Sequence, residues 1–542
     1  MDAVAFTGVR RGLRFAGGFG RSGPRGSVGT SGLRRPALVG TGHVGLRSAC
    51  STLGVEQRSG PGRRAKSIWP NRFGRQYGRP ASARQGACRR AAGDRTPRSG
   101  PVHGIFDAPL PAAIVNARST EDVSKVLAFA NDNRINVVAR TGRTGTEGGL
   151  ETAVEDTIVL DGSGLDRILS VDAENMQVTV ECGVPLQVLE DKLREQGLTT
   201  GHSPQSKPLA QYGGLVSTRS IGQFSTLYGA IEDMVVGLEA VFPDGSVTRI
   251  KNVPRRAAGP DIRHVVIGNE GALSYITEVT VKVFKYQPEN NEFHGFLVDD
   301  MATGVKAIRE VVTNGFKPSV VRVYSPEDAR QHFSHFYRGK VVVVFVAEGP
   351  KGLVRATSEE IVRVLDQYPH EKVDPGLIED WFDNLNWGVD KIEAEKQVML
   401  AKAELGYTTE VSVDWSRTVE LYENVIRRIR TEFPAADDLV MLGAHSSHSY
   451  QTGTNLYFVY DYRIDCEPRE EIEKYHIPLN AIIVEEALKV GGSMVHHHGI
   501  GKYRAPWTTQ EHGSAYQILA KLKETFDPNG IMNKGTIFPM DA

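Results

Sequence analysis

A mixed α+β chain with two folded domains behind a disordered basic leader is the fold class this sequence predicts, and three observations carry it. The chain has 542 residues, more than one hydrophobic core usually serves, so two or more domains are expected. Short apolar strands and amphipathic helices follow one another, separated by glycine-rich turns, from about Ile105 onward. The net charge of −1 hides a strong asymmetry, because residues 1–100 carry 19 arginines and Lys66 against only Asp2, Glu56 and Asp94.

That leader, 1–104, is rich in Gly, Arg, Ser and Pro without sustained apolar periodicity, so it is read as disordered. Three origins fit it: an acid-poor organelle transit segment, a nucleic-acid-binding tail, or sequence swept in by a wrongly chosen start codon. The tail lacks interleaved aromatics, and no nucleic-acid partner is expected. The rest of the chain has an ordinary composition, 40% hydrophobic and 24% charged overall, and no apolar run reaches the length of a membrane span. Cys50, Cys88, Cys182 and Cys466 lie far apart and match neither a metal-site spacing nor a disulfide framework. A reducing, intracellular setting follows, either cytoplasmic or peripheral to a membrane.

Folding is expected to begin with a strand at Pro111–Val115. A helix follows, started by Ser119 with Asp122 three residues later, a weaker form of the capping box. The strand Ile135–Ala139 runs directly into Thr141-Gly-Arg-Thr-Gly-Thr-Glu-Gly-Gly. Such a turn aims backbone N–H groups at phosphates, yet this one has neither GxGxxG nor GK[ST] spacing, so it belongs to neither standard nucleotide fold. Strands are predicted at Thr157–Leu160, Ile168–Val171, Gln177–Glu181, Val235–Phe242, Thr248–Ile250 and Ile276–Phe284, with a helix at Leu186–Gln196. Between them lies Pro204–Met234, a long run of Gly, Ser and Thr with few charges. Its paired glycines permit close backbone approach and its hydroxyls both donate and accept. It suits wrapping a large polar cofactor; a surface loop is the plain alternative.

Residues 287–485 read as a second domain inserted before the chain returns at 486–542. Strands at Glu292–Val298, Val320–Tyr324 and Val341–Ala347 alternate with helices at Ala302–Thr313, Leu353–Gln367 and Trp415–Phe433, which suits a ferredoxin-like cap. The polar helical stretch Trp381–Gly406 is expected at a substrate entrance. Late in the chain His496-His497-His498 sits between glycine turns. If extended, it puts His496 and His498 on one face and His497 on the other. A satisfied histidine cluster at a domain junction reads equally well from the residues alone.

Four ordered segments give the chain a specific resemblance. They are Gly213-Gly214-x-Val-Ser-Thr-Arg with Tyr228-Gly-x-Ile-Glu-Asp, Gly259-Pro-Asp with Gly-x-Glu-Gly, Asn455-Leu-Tyr-Phe, and Gly491-Gly-Ser-Met-Val-His-His-His-Gly-Ile-Gly-Lys. In this order they resemble the vanillyl-alcohol oxidase superfamily, with its PCMH-type FAD-binding domain, and within it the alkylglycerone-phosphate synthase branch. The resemblance implies a PCMH-type FAD domain over 105–286 with the inserted cap. It implies FAD contacts from Thr141, Gly142, Arg143, Thr144 and Gly145, from Gln205, Ser206 and Gln211, from Thr218, Arg219, Ser220 and Ile221, and from Glu270, Gly271, Ala272, Leu273 and Ile276. The family's phosphate loop has three consecutive glycines where this chain has Thr141-Gly142-Arg143. That loop offers no His or Cys for a covalent flavin link, so non-covalent FAD is expected.

For the chemistry, the resemblance implies Tyr457 as proton donor or acceptor with His496, His497 and His498 beside it, and Arg255 near the active site. Counting back from Trp415, the family's phosphate-binding arginine falls on Lys396, a point charge without the bidentate fork. The implied reaction exchanges the acyl group of acyl-dihydroxyacetone phosphate for a fatty alcohol without net redox change, on a phosphorylated lipid substrate. Peripheral membrane contact and a homodimer go with it. The rival reading is a flavin dehydrogenase or oxidase of 2-hydroxy acids on the same fold. Relatives of that kind hold a divalent metal with His-x-His and a later Glu; here His445-x-x-His448 stands in the first place and His497 in the second. Loss of the carboxylate weakens a hard-cation site, so no metal is assigned, with a histidine-only zinc site left as the alternative.

Overall fold

The alternation of β-branched strands with glycine turns produces two sheets in the first half of the chain. The computed structural model describes residues 110–540 apart from Trp387 and 468–469, together with a short strand at Glu56–Gln57 that pairs with Ala113–Asn116. The expected leader otherwise lies outside the described residues. Strands Ala113–Asn116 and Asn136–Arg140 flank Thr157–Asp161, both parallel to it. Helix Thr120–Asn133 starts where the Ser119 side chain accepts from the Asp122 N–H; the Asp122 carboxylate reaches back to the Arg118 N–H, one residue beyond the reciprocal box. An antiparallel sheet follows in the order Ile168–Asp172, Gln177–Glu181, Tyr275–Lys282, Val235–Val241, Val247–Ile250. Its inner face packs Val178, Val180, Leu238, Val279 and Val281 against the helix Leu186–Arg194 and the Pro204–Met234 stretch.

That stretch is partly helical. It folds into three short helices, Tyr212–Ser217, Ser225–Tyr228 and Ile231–Met234. The two paired glycines have different tasks. A Cβ on Gly213 would lie 2.8 Å from the Cβ of Cys182, so glycine there lets the helix lie against the sheet edge. Gly214 turns its N–H onto Thr141 Oγ1 at 3.1 Å, tying the stretch to the glycine-rich turn.

The cap is a seven-stranded antiparallel sheet. Its first four strands in chain order are Glu292–Val298, Val320–Tyr324, Val341–Ala347 and Glu371–Val373. They lie across the sheet as fourth, first, third, second, the ferredoxin-like arrangement the sequence pattern implies. Three further strands, Leu439–Ser446, Gly453–Arg463 and Glu404–Asp414, extend it. Strand alternation decides which face does what. Val321, Val323, Val343 and Phe345 pack beneath helices Met301–Thr313 and Lys351–Leu365, while Val320, Arg322 and Tyr324 point the other way, toward the flavin-domain side. Helices Pro375–Asp383 and Val389–Lys402 replace the single polar helical stretch expected at 381–406, whose last residues join the strand Glu404–Asp414.

The Gly213 contact makes a direct test. Gly213→Ala overpacks a closed junction, which typically costs about 1–3 kcal/mol; a lowered melting temperature is expected, and an unchanged one would show that the helix shifts freely.

Candidate functional site

The site is set by strand register. Tyr324, His445, Tyr457 and Glu410 are direct cross-strand partners on four adjacent strands, Tyr324 opposite His445, His445 opposite Tyr457, and Tyr457 opposite Glu410. Opposed residues share a face, so these side chains form one row across the sheet. The His445 and Tyr457 rings stack with centroids 4.8 Å apart, and His445 and Tyr324 lie 4.9 Å apart. His445 Nδ1 lies 2.5 Å from Asp328 Oδ2, which anchors it from behind.

The returning segment lays the histidine triplet against the end of this row. It is not extended. Glu410 Oε1 accepts the backbone N–H groups of His496, His497 and His498 at 3.2, 2.8 and 2.7 Å. Three successive amides aimed at one oxygen require a curled backbone, an anion-binding nest. The alternation expected of a strand is therefore lost. His496 and His497 turn toward each other, with Nδ1 atoms 2.8 Å apart. His498 goes to Tyr457, its Nε2 3.3 Å from the phenolic oxygen. Thr408 donates to the same phenol at 3.0 Å.

Behind His498 sits a buried ionic cluster. Arg504, fully buried, donates to Glu410 Oε2 at 2.7 Å and to Glu147 at 3.2 Å, and its third nitrogen serves the carbonyls of Glu410 and Met494. Burial is the largest single influence and raises both carboxylates, but Arg504 together with the neighbouring histidines outweighs it and holds Glu147 and Glu410 well below the usual range. His498 Nδ1 lies 3.1 Å from Glu410 Oε2 and 3.7 Å from Glu147 Oε1. Burial works against its charge, yet Glu410 and its neighbours prevail and raise the imidazole well above its ordinary value. Burial dominates for His496, pushed down to about 4, and for His497 and His448, both well below the ordinary value. One triplet thus holds one cationic and two neutral rings.

Tyr324, His445 and Tyr457 of the row and His497 and His498 of the triplet wall one side of a cavity of about 770 Å³. The opposite side is the glycine-rich turn, Thr141–Gly145, with Gln205, Ser206, Gln211, Thr218, Ser220, Ile221, Glu270, Gly271 and Ile276. All of these are residues expected to hold FAD. The backbone there fits a large anionic group. Arg143 takes the left-handed conformation, φ 62°, that a glycine would supply in an all-glycine loop. A Cβ on Gly142 would strike Gln211 N at 2.7 Å, whereas one on Gly145 would meet nothing within 4 Å. The loop is closed behind and open toward the cavity.

Three of the expected cofactor residues stand elsewhere. Arg219 turns out to Glu232, which it meets at 2.8 Å, and Ala272 and Leu273 are buried in the core rather than lining the cavity. Arg255 is exposed on the loop after Val247–Ile250 and does not line the cavity either. Lys396 falls on the helix Val389–Lys402, but its side chain is outside the described residues; Lys391 of that helix does line the cavity. The residue sequence reasoning missed is Arg322. It is buried on the cavity face and donates to Tyr324 Oη at 2.6 Å and Gln223 Oε1 at 2.7 Å. Among the described residues no carboxylate pairs with it. The signal was present: one arginine inside the strand Val-Val-Arg-Val-Tyr.

Comparison with known families places this geometry. The FAD binding domain family matches residues 111–251 and the C-terminal domain of FAD linked oxidases matches residues 287–537. The "Uncharacterized FAD-linked oxidoreductase YgcU" of Escherichia coli (strain K12) is 62% identical over 450 residues, 83% of this chain and 93% of that one. The chain belongs to the FAD-linked oxidase family. This flavoenzyme, whose cofactor is FAD, is also 26% identical over 470 residues to an alkyldihydroxyacetonephosphate synthase of Dictyostelium discoideum, covering 79% of this chain and 73% of that one. It is 26% identical over 443 residues to a mitochondrial D-lactate dehydrogenase [cytochrome] of Arabidopsis thaliana, covering 79% and 74%. A solved alkyldihydroxyacetonephosphate synthase superposes with TM-score 0.63 at 23% identity over 78% of this chain and 76% of that one, a likeness of fold. The family membership makes FAD the cofactor; the glycine turn and the Tyr457 row line the same cavity.

The ionic cluster behind His498 is testable apart from activity. Arg504→Met removes the only cation bonded to Glu410 and Glu147 among the described residues apart from the histidines. Breaking such a buried pair costs about 3–5 kcal/mol, so the urea midpoint of the flavoenzyme should fall sharply; a midpoint within error of wild type would mean that the carboxylates are protonated or solvated instead.

Proposed function

We propose that this flavoenzyme is an FAD-dependent oxidoreductase that removes two electrons from a hydroxyl-bearing carbon of a small anionic substrate, a 2-hydroxy acid in the first instance. The observation that carries the reading is the pairing of Arg322 with Tyr457 across one cavity. A buried guanidinium whose partners are neutral keeps its charge and fork for a ligand carboxylate. Tyr457 stands on the neighbouring part of the same sheet face with His498 behind it. Bound FAD supplies the two-electron acceptor, and we read it as held without a covalent link.

The protein's own part is then proton handling and orientation. Arg322 holds the carboxylate, with Trp381 against its guanidinium at 5.3 Å. Tyr457 takes the proton of the substrate hydroxyl as the carbon–hydrogen bond breaks. His498, kept cationic by Glu410 and Glu147, stabilises the phenolate form of Tyr457 that accepts this proton and becomes a neutral phenol, and the phenol releases the proton outward afterwards. A positioned acid–base pair of this kind typically contributes about 10²–10⁴-fold. The 62% identical oxidoreductase and the D-lactate dehydrogenase support this reading.

A second reading has its own support. The same anion anchor and Tyr457–His498 contact serve an acyl-for-alkoxy exchange on a phosphorylated ketone, and the Dictyostelium synthase is as similar as the dehydrogenase. Anaerobic flavin spectra separate the two. A 2-hydroxy acid should bleach the flavin fully under the proposed reading. Exchange of a fatty alcohol into acyl-dihydroxyacetone phosphate with no net bleaching would replace it.

Two variants sharpen the assignment. Tyr457→Phe should keep FAD and lose turnover by at least about a hundredfold; near wild-type kcat would remove the tyrosine from the chemistry. Arg322→Met should raise KM for the anionic substrate roughly ten- to hundredfold, the worth of one charge-assisted contact of about 1.5–3 kcal/mol, with flavin content unchanged. An unaltered KM would put the anion elsewhere.

A further inference from the structure

We propose that the outer part of the cavity is a subsite for a hydroxyl-rich chain, so that the substrate is a polyhydroxylated 2-hydroxy acid of the aldonic-acid class. The inference rests on the proposed reading of Arg322 as the carboxylate anchor and names what lies beyond it. A chain leaving that anchor meets Trp381 first, whose ring lies 5.3 Å from the guanidinium carbon. Trp381 belongs to the helix Pro375–Asp383, and Leu377, Asp380, Trp381 and Asn384 all line the cavity. These are positions i, i+3, i+4 and i+7, one stripe running about 10 Å along a helix. The helix therefore lays a single face along the cavity, and that face carries a carboxylate, an indole and an amide.

The stripe is tied to the anchor. Gln223 accepts from Arg322 at 2.7 Å and donates to the carbonyl of Leu385 at 3.4 Å. Asn386 donates to Ser203 Oγ at 3.2 Å across the same junction. One glutamine thus fixes both the guanidinium and the end of the helix. Asn384 spends its Nδ2 on the carbonyl of Asp380 at 2.8 Å, which leaves its Oδ1 as an acceptor. No hydrogen bond or ion pair engages the Asp380 carboxylate among the described residues. Beyond this stripe the cavity is lined by Lys391, His332 and His335. His332 Nε2 lies 3.4 Å from the fully buried Asp328, so its Nδ1 is left for another group.

The mixture of groups selects the tail. Asp380 and the Asn384 oxygen only accept, Lys391 only donates, and a hydroxyl does both. A hydrocarbon tail gains about 0.8 kcal/mol per methylene where it meets apolar surface. Here it would instead strip water from an aspartate and a lysine without replacing their hydrogen bonds. A second carboxylate on the tail would find Lys391 but would also face Asp380. A neutral chain of hydroxyls conflicts with none of them, and its C–H side fits the negative face of the Trp381 ring.

The experiment uses the full-length, FAD-loaded enzyme with its flavin reduced beforehand, so that no hydroxy acid is turned over. Calorimetry then gives the affinities for gluconate, lactate and 2-hydroxyoctanoate. Gluconate is expected to bind about tenfold or more tightly than lactate, the equivalent of one or two net hydrogen bonds, and 2-hydroxyoctanoate no more tightly than lactate. Replacing Asp380→Leu and Asn384→Leu together, both at exposed positions, should bring the gluconate and lactate affinities together. Gluconate bound no more tightly than lactate would overturn the subsite. So would 2-hydroxyoctanoate bound more tightly than gluconate, or a gluconate preference untouched by the double substitution. Bleaching of the oxidised flavin is read separately. Gluconate that binds tightly without bleaching it sinks the oxidation and keeps the subsite, whereas bleaching with no preference for the hydroxylated tail does the reverse.

Discussion

Everything at the catalytic end of this protein depends on one buried carboxylate. Glu410 sits on an inner-facing position of the strand Glu404–Asp414, fully buried. An isolated ionised carboxylate there would be very costly. It is held ionised by what it collects: three backbone amides, the Arg504 guanidinium and the His498 ring. Each of these comes from the returning segment after residue 486. The charge on one side chain of the cap sheet thus draws the C-terminal segment onto that sheet and curls it into the shape that distributes the histidines. Removing the carboxylate would release the curl and the cationic state of His498 together.

A second consequence is electrical. The glycine-turn side of the cavity offers backbone amides and hydroxyls, suited to phosphates. The cap side offers Arg322 with neutral partners only. The cluster of Glu147, Glu410, Arg504 and His498 balances itself internally, two anions against two cations, so it adds little net field to the cavity. The Arg322 guanidinium has no carboxylate partner among the described residues. A buried positive charge with neutral partners facing a flavin-sized space favours small anions, whichever of the two reactions takes place there.

How far the sequence revealed this follows from which physics is local. The cap strands Glu292–Val298, Val320–Tyr324 and Val341–Ala347 read directly from apolar periodicity, and their bounds match. The glycine-rich turn Thr141–Gly145 was legible as a cavity-lining loop because it follows a strand directly. The row Tyr324–His445–Tyr457–Glu410 was not, since its members are more than eighty residues apart at the extremes and meet only through register, which no local signal encodes. Arg322 went unnoticed for a related reason: a strand's two faces look alike until its partner helices are known. The Pro204–Met234 stretch does line the cavity, through Gln205, Ser206, Gln211, Thr218, Ser220 and Ile221, but not every glycine in it is there for that purpose alone. Gly213 serves packing against Cys182, a use that composition does not distinguish from cofactor contact.

The histidine triplet shows why spacing alone misleads at such sites. Three identical residues in succession carry three different tasks, and the differences come wholly from neighbours. His498 has two carboxylates behind it and becomes a cation beside Tyr457. His496 has Tyr450 on one nitrogen and His497 on the other. His497 lies near Glu410 at 3.9 Å but beside the cationic His498, and burial with that neighbour keeps it neutral. An extended backbone would have paired His496 with His498 and left His497 alone. The nest around Glu410 reverses that pairing, so the same carboxylate that charges one histidine also turns the other two toward His448. The Tyr457–His498 contact and the packing of His496 and His497 against His448 are therefore consequences of one backbone curl, and a change that straightened it would remove both at once.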